Sequence, residues 1–320
     1  MNINELRVSI IVPASNCENT IEKCIASIYD NKYKDIECIV IVNNSSDNTF
    51  SICLALKSKY ECLVVIESNA KGVSAARNEG IRASTGGVIG FCDADDYYEP
   101  QAIDNVLKKF KCSSADIVVT GFYRVSFLDN SIHSSRNQVS TSDKFVSVKR
   151  MQGLVLNDIS VLGCIWNKFY RKDVLFKCSF NENLSHSEDT HFNMQILKKN
   201  NLRIILTPLI TYNYVCNHSS ATNSIDRCYT DDDKLKYLIA FEKIQNDYNG
   251  NAYVKKETMY SIVGLAIDNY RHELSKSRKE HLRWYVVHYY HYILLKYFKY
   301  GIKRNTKRLI KGALILVKMY

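Results

Sequence analysis

Short apolar runs rich in β-branched residues recur along the first two-thirds of the chain, the first four each followed by a stretch with helical spacing. The runs fall at residues 8–12, 36–42, 63–67, 88–92 and 117–123. A run that stays apolar at successive positions reads as a strand buried on both faces. Between the first two, Ile21, Cys24, Ile25 and Ile28 repeat at helical spacing behind a cap at Asn19 or Thr20. Residues 49–60 read as a second helix, residues 72–83 carry a loop into a third, and residues 101–109 form a fourth after Pro100. Strands alternating with helices imply right-handed crossovers and a mainly parallel sheet. The expected class is α/β: a Rossmann-like sheet flanked by helices.

Further along, the pattern changes. Residues 126–142 are polar and rich in Ser and Asn, and form a hairpin or a mobile excursion. Residues 148–156 start a helix, another opens at 187–192 and runs to 199, and residues 202–206 and 209–215 read as the last strands. From about residue 224 the pattern is wholly helical. The expected division is an α/β domain over residues 1–223 and a helical region over residues 224–320.

Composition narrows this picture. A chain of 320 residues, 46% hydrophobic and 24% charged, is that of a folded globular protein. Twelve Gly and only three Pro argue against long linkers. Residues 1–7 are polar and a strand-like run begins at Val8, so no secretory leader is expected. No uninterrupted apolar stretch is long enough to cross a bilayer. The eleven cysteines are scattered with no C-x-x-C pair, which points to reduced thiols in a cytoplasm.

The chemistry concentrates at residues 88–100, VIGFCDADDYYEP, where a buried-strand pattern ends in Asp93, Asp95 and Asp96. The ends of strands in open α/β sheets are where such proteins bind ligands. Hard divalent cations take oxygen ligands, and Mg²⁺ or Mn²⁺ commonly joins one or two carboxylates to substrate phosphates. Asp and Asn also serve as ordinary turn residues where a strand meets a loop. Two neighbouring segments favour the chemical reading: VSIIVPASN at residues 8–16 and GVSAARNEGI at residues 72–81.

Together the three segments resemble the GT-A glycosyltransferases of family 2, with their patterns VSIIVPxYN, GxSxARNxGI and FxDxDDxxxP in this order. WNKFYR at residues 166–171 is similar to a WNKxY segment of many members. The resemblance implies a GT-A fold and a metal-dependent, inverting transferase using a nucleotide-sugar, with UDP favoured. It implies Mn²⁺ or Mg²⁺ held by Asp95 and Asp96, with His218 a third ligand or a phosphate donor. Pro13, Ala14, Asn16, Asn43, Asn44, Arg77, Asp93 and Ala94 would face the donor. Glu188 and Asp189 resemble the acidic pair that supplies the base, with Asp189 assigned and Glu188 second. The same pair also fits ordinary capping at a helix start. His191 is expected to be structural. Trp166 and Tyr170 pack under the acceptor or in the core.

One segment departs from the family pattern. VNNSSDNT at residues 42–49 stands where relatives resemble VDDGSSDNT: the acidic pair and its Gly have become Asn43 and Asn44, one residue shorter. An Asn oxygen still accepts a hydrogen bond from a uracil N–H, so uridine remains compatible. A catalytically decayed scaffold that only binds is one rival reading. A sugar nucleotidyltransferase is another, but it wants a Gly-rich, basic loop after the first strand, and Pro13-Ala14-Ser15-Asn16 is not that.

Charge adds a last expectation. The chain carries a formal charge of +10, and residues 276–320 hold twelve Lys and Arg against Glu280 alone, interleaved with Tyr, Phe and Trp. Aromatic rings with cations suit the headgroup level of an anionic bilayer. This predicts a peripheral enzyme at the inner face of the plasma membrane, acting on a glycan or lipid-linked acceptor in capsule, O-antigen or lipopolysaccharide synthesis. The alternatives are helices packed on the α/β domain or joining a homodimer. Nucleic acid is not an expected partner.

Overall fold

The computed structural model describes residues 6–69, 71–128, 131–157, 163–216, 231–248, 251–269, 280, 283–284 and 286–288. It divides into two units, Met1–Asn183 with Glu188–Ser224, and Leu184–Ser187 with Ile225–Tyr320.

The first unit is built on a sheet of ten strands. Strands β1 (Val8–Ala14), β2 (Ile36–Asn43), β3 (Leu63–Ser68) and β4 (Val88–Phe91) run parallel in the order β3-β2-β1-β4. Every residue of β1, β2 and β4 is buried, as expected of runs apolar at successive positions. Successive side chains serve opposite faces. Cys38, Val40 and Val42 join the core with Ile21, Cys24, Ile25 and Ile28 of helix α1 (Ile21–Tyr29). Ile39 and Ile41 face the other way, with Ala76 of α3 (Gly72–Ala83). Each such buried aliphatic side chain contributes about 1.5–3 kcal/mol. Gly80 lets α3 press onto β1, because a Cβ there would collide with Ile11. Helix α2 (Thr49–Leu56) completes this half.

Beyond β4 the sheet reverses. Strand β9 (Lys168–Arg171) runs antiparallel to β4 and to β6 (Ile117–Leu128), and β10 (Ile204–Cys216) returns parallel to β6. Short β5 (Tyr97–Tyr98) borders β10, β7 (Ser131–Asn137) pairs with β6, and β8 (Lys144–Val146) pairs with β10. Helices α4 (Ala102–Ser113), α5 (Val148–Asn157) and α6 (Glu188–Ile196) and a 3₁₀ turn at Lys172–Leu175 fill the connections. The arrangement is α/β with a mixed, mainly parallel sheet flanked by helices, as expected.

Of two strand expectations, the hairpin holds and the pair of last strands changes. The polar stretch after residue 126 contributes to the β6–β7 hairpin. The two last strands are one, β10, with register shifts between Leu206 and Tyr212. Pro208 lies in that interval and lacks the N–H that would continue the ladder.

The second unit contains α7 (Asp231–Asp247) and α8 (Ala252–Asn269), burying Leu238, Ile244, Val254, Ile262 and Val263. Among the described residues, no helix is long and apolar enough to cross a membrane. Most of the basic stretch at residues 276–320 lies outside the described residues.

Candidate active site

The parallel strands β1, β2 and β4 end at one edge of the sheet, with Pro13 and Ala14, Asn43, and Asp93 at their respective ends. Two loops at this edge are laced together. The Asn16 backbone N–H donates to Ser45 Oγ at 3.1 Å, and Asn16 Oδ1 accepts from the Ser46 N–H at 2.8 Å. Glu18 accepts from the Asn48 N–H at 3.0 Å, while its own N–H donates to Asp47 at 3.0 Å. Asn16 (φ 49°) and Asn44 (φ 51°) occupy the left-handed region that Asn tolerates better than most residues. Asn43 is buried and Asn44 exposed.

The three carboxylates after β4 have different surroundings. Asp96 is 2% exposed; its Oδ2 accepts from the Tyr212 hydroxyl at 2.9 Å and its Oδ1 from the Val215 N–H at 2.7 Å. Burial, then the charges of Asp95 and Asp93, pushes its carboxyl well up. Asp96 was expected to hold the ion with Asp95. Each of its oxygens accepts from a protein donor, which anchors the loop to β10. Asp95 is half-buried and has no partner side chain among the described residues. Burial and the neighbouring Asp93 push its carboxyl up to about 6. Ala94 is buried between them.

Arg77 connects this loop to the start of α6. Its guanidinium, 4% exposed, donates from one NH to Asp93 at 2.9 Å and from the other to Glu188 at 2.9 Å and Asp189 at 2.7 Å. It lies 5.5 Å from the Phe180 ring centre, and its Nε is buried without a partner, as is Ser74 Oγ one turn earlier. Desolvation favours the neutral form, but the three carboxylates outweigh it and hold Arg77 charged. Burial pushes the Asp189 carboxyl up to about 8, raised further by Glu188 and Asp93 and opposed by Arg77 and Lys168. A carboxyl near neutrality is suited to accept a proton.

Arg77, Asp93, Glu188 and Asp189 thus meet in one cluster, though they come from distant parts of the sequence. His218 lies outside the described residues, and among the described residues no group of three or more His, Cys, Asp or Glu gathers to hold a metal. The donor set suits a cation that brings most of its oxygens with the substrate: Asp95 is open, and only one Asp93 oxygen is committed to Arg77.

Trp166 is core, 5% exposed and stacked on Tyr212 at 4.6 Å and Tyr214 at 5.4 Å. His191 is buried against Gln195 at 3.1 Å. Sequence reasoning missed Tyr212, Lys168 and Asn193. Lys168 and Asn193 are polar residues in otherwise apolar surroundings, a signal that could have marked them. Tyr212 carried none.

A family model described as Glycosyl transferase family 2 matches residues 9–177. Among curated proteins, the chain is 28% identical over 199 residues to the uncharacterized glycosyltransferase EpsJ of Bacillus subtilis, covering 60% of this chain and 56% of EpsJ. It is 30% identical over 135 residues to WfaP of Escherichia coli, a UDP-Glc:alpha-D-GlcNAc-diphosphoundecaprenol beta-1,3-glucosyltransferase, covering 42% and 53% respectively. The chain spans only about half the length of these relatives. The crystal structure of S. aureus TarS 1–349 in complex with UDP-GlcNAc superimposes with a TM-score of 0.64 at 17% identity, covering 90% of this chain and 81% of that one. At that identity the likeness is one of fold.

Proposed function

The chain belongs to glycosyl transferase family 2, and from that premise we propose that it moves a sugar from a UDP-sugar to a glycan or lipid-linked acceptor with inversion at the anomeric carbon. One observation carries the reading: Arg77 bonds Asp93 on the donor side and Asp189 on the other side within a single guanidinium. In the reaction the acceptor oxygen attacks the anomeric carbon, its proton passes to Asp189, and the bond to the diphosphate breaks. Asp189 is the base and Glu188 shares its hold on Arg77. Asn43, at the end of β2, offers an amide to the base of the donor. Asp95, with the second oxygen of Asp93, would hold Mn²⁺ or Mg²⁺. When bound, that ion supplies Lewis-acid neutralisation of the leaving diphosphate.

The names of the relatives support a UDP donor and a polysaccharide pathway. The basic, aromatic residues 276–320 support docking on an anionic bilayer, where a lipid-linked acceptor sits. The deciding experiment is a panel of nucleotide sugars with Mn²⁺, read as released nucleoside diphosphate. Turnover of at least one UDP-sugar is expected. Tight nucleotide binding with no turnover of any donor would instead identify a decayed scaffold.

A further inference from the structure

The geometry points to Asn193 as a positioning residue that grips the backbone of Gly163 and Cys164 and sets them as the wall along which an acceptor reaches Asp189. This rests on the transferase reading above. Asn193 lies one turn after Asp189 in α6 and is 3% exposed. Its amide N–H groups donate to the carbonyls of Gly163 at 2.6 Å, Asp189 at 3.0 Å and Cys164 at 3.5 Å. Its Oδ1 accepts from the Tyr170 hydroxyl at 2.8 Å. Tyr170 is wholly buried in β9, so the sheet fixes which way the amide faces.

A second buried group holds the same backbone. Lys168, wholly buried, donates from Nζ to the Cys164 carbonyl at 2.5 Å and to Asn167 Oδ1 at 2.7 Å. Gly163 makes the approach to α6 sterically feasible, because a Cβ there would overlap Thr190. Burying an ammonium and an amide is expensive unless both are satisfied. Here both are spent on successive loop carbonyls, which fixes the loop's conformation beyond what apolar packing requires. Asn193 bridges the Gly163 and Asp189 carbonyls, and Gly163 packs against Thr190, the residue after Asp189. The gripped segment therefore borders the turn of α6 that carries Asp189.

The test compares two reactions of whichever UDP-sugar turns over in the donor panel: hydrolysis, with water as acceptor, and transfer to p-nitrophenyl β-glycosides. Water reaches Asp189 without a wall, whereas a sugar hydroxyl has to be aligned by one. Asn193→Ala is expected to lower the transfer-to-hydrolysis ratio about ten-fold or more, with donor KM unchanged. Tyr170→Phe keeps the ring and releases the amide, and is expected to lower the ratio about three-fold. Should Asn193→Ala fail to fold, Tyr170→Phe decides alone. An unchanged ratio, or hydrolysis and transfer falling in parallel, overturns the proposal. A wild-type protein that turns over no donor fails the transferase reading instead.

Discussion

Tyr212 donates its hydroxyl hydrogen to Asp96 at 2.9 Å while accepting the Asp93 N–H at 3.0 Å. One phenol thereby fixes the loop between two carboxylates, while the third, Asp95, is half-buried. The expected outcome is a separation of roles. Asp95→Asn abolishes Mn²⁺-dependent nucleotide binding and leaves the melting curve nearly unchanged. Tyr212→Phe leaves two buried groups unsatisfied and destabilises by about 1–3 kcal/mol. Isothermal titration with UDP and Mn²⁺, beside urea denaturation, checks both. Undiminished metal-dependent binding by Asp95→Asn would return the ion to Asp96.

Arg77 bonds three carboxyl groups at once. Arg77→Met leaves them facing one another and is expected to destabilise by about 3 kcal/mol, the lower end for a broken buried pair because the carboxylates retain some water. Arg77→Lys restores the charge without the fork and recovers only part of the loss. Denaturation midpoints at pH 7 measure both, and equal midpoints for Met and Lys would refute the argument.

With Asp189 as the proposed base, it is expected to set the pH dependence. Its carboxyl is raised to about 8 by burial, so it is largely protonated at neutral pH and gains the ability to accept a proton as pH rises. Turnover is therefore expected to climb through pH 7–9 with a midpoint near 8. Asp189→Asn is expected to remove this limb and lower kcat by about two to four orders of magnitude with donor affinity retained. Stability runs the other way. The folded state keeps a proton that the unfolded chain releases near pH 3.9. That contribution is full below about 4 and is lost as pH rises through about 8. Loss of turnover in Glu188→Gln instead would exchange the two roles.

The basic stretch predicts a salt-sensitive attachment. Vesicles rich in phosphatidylglycerol should sediment the protein at 0.1 M salt and release it near 1 M, where screening shortens to about 3 Å. Substituting Lys303, Arg304, Lys307 and Arg308 with Gln should weaken this binding without altering donor hydrolysis. Salt-insensitive sedimentation, or none with anionic vesicles, would leave helix packing or a homodimer as the role of this stretch.

The sheet half around β1, β2 and β4 was legible because burial on both faces writes itself as unbroken apolar runs, and α1 because its apolar positions repeat at helical spacing. The different surroundings of Asp95 and Asp96 were not legible. They depend on Tyr212, which is distant in sequence and becomes a partner only when β10 joins the sheet beside β5. Strand β9 was read as a motif rather than a strand, since four residues carry too little periodicity to declare themselves.

The lacing of the Asn16 and Ser46 loops bears on engineering. A graft of residues 14–18 alone from another transferase would strip the Ser46 and Asn48 N–H groups of their acceptors, Asn16 and Glu18. A graft of residues 44–49 alone would leave those acceptors unmatched. The two segments behave as a single cartridge, so any test of whether they set donor preference has to transplant both together.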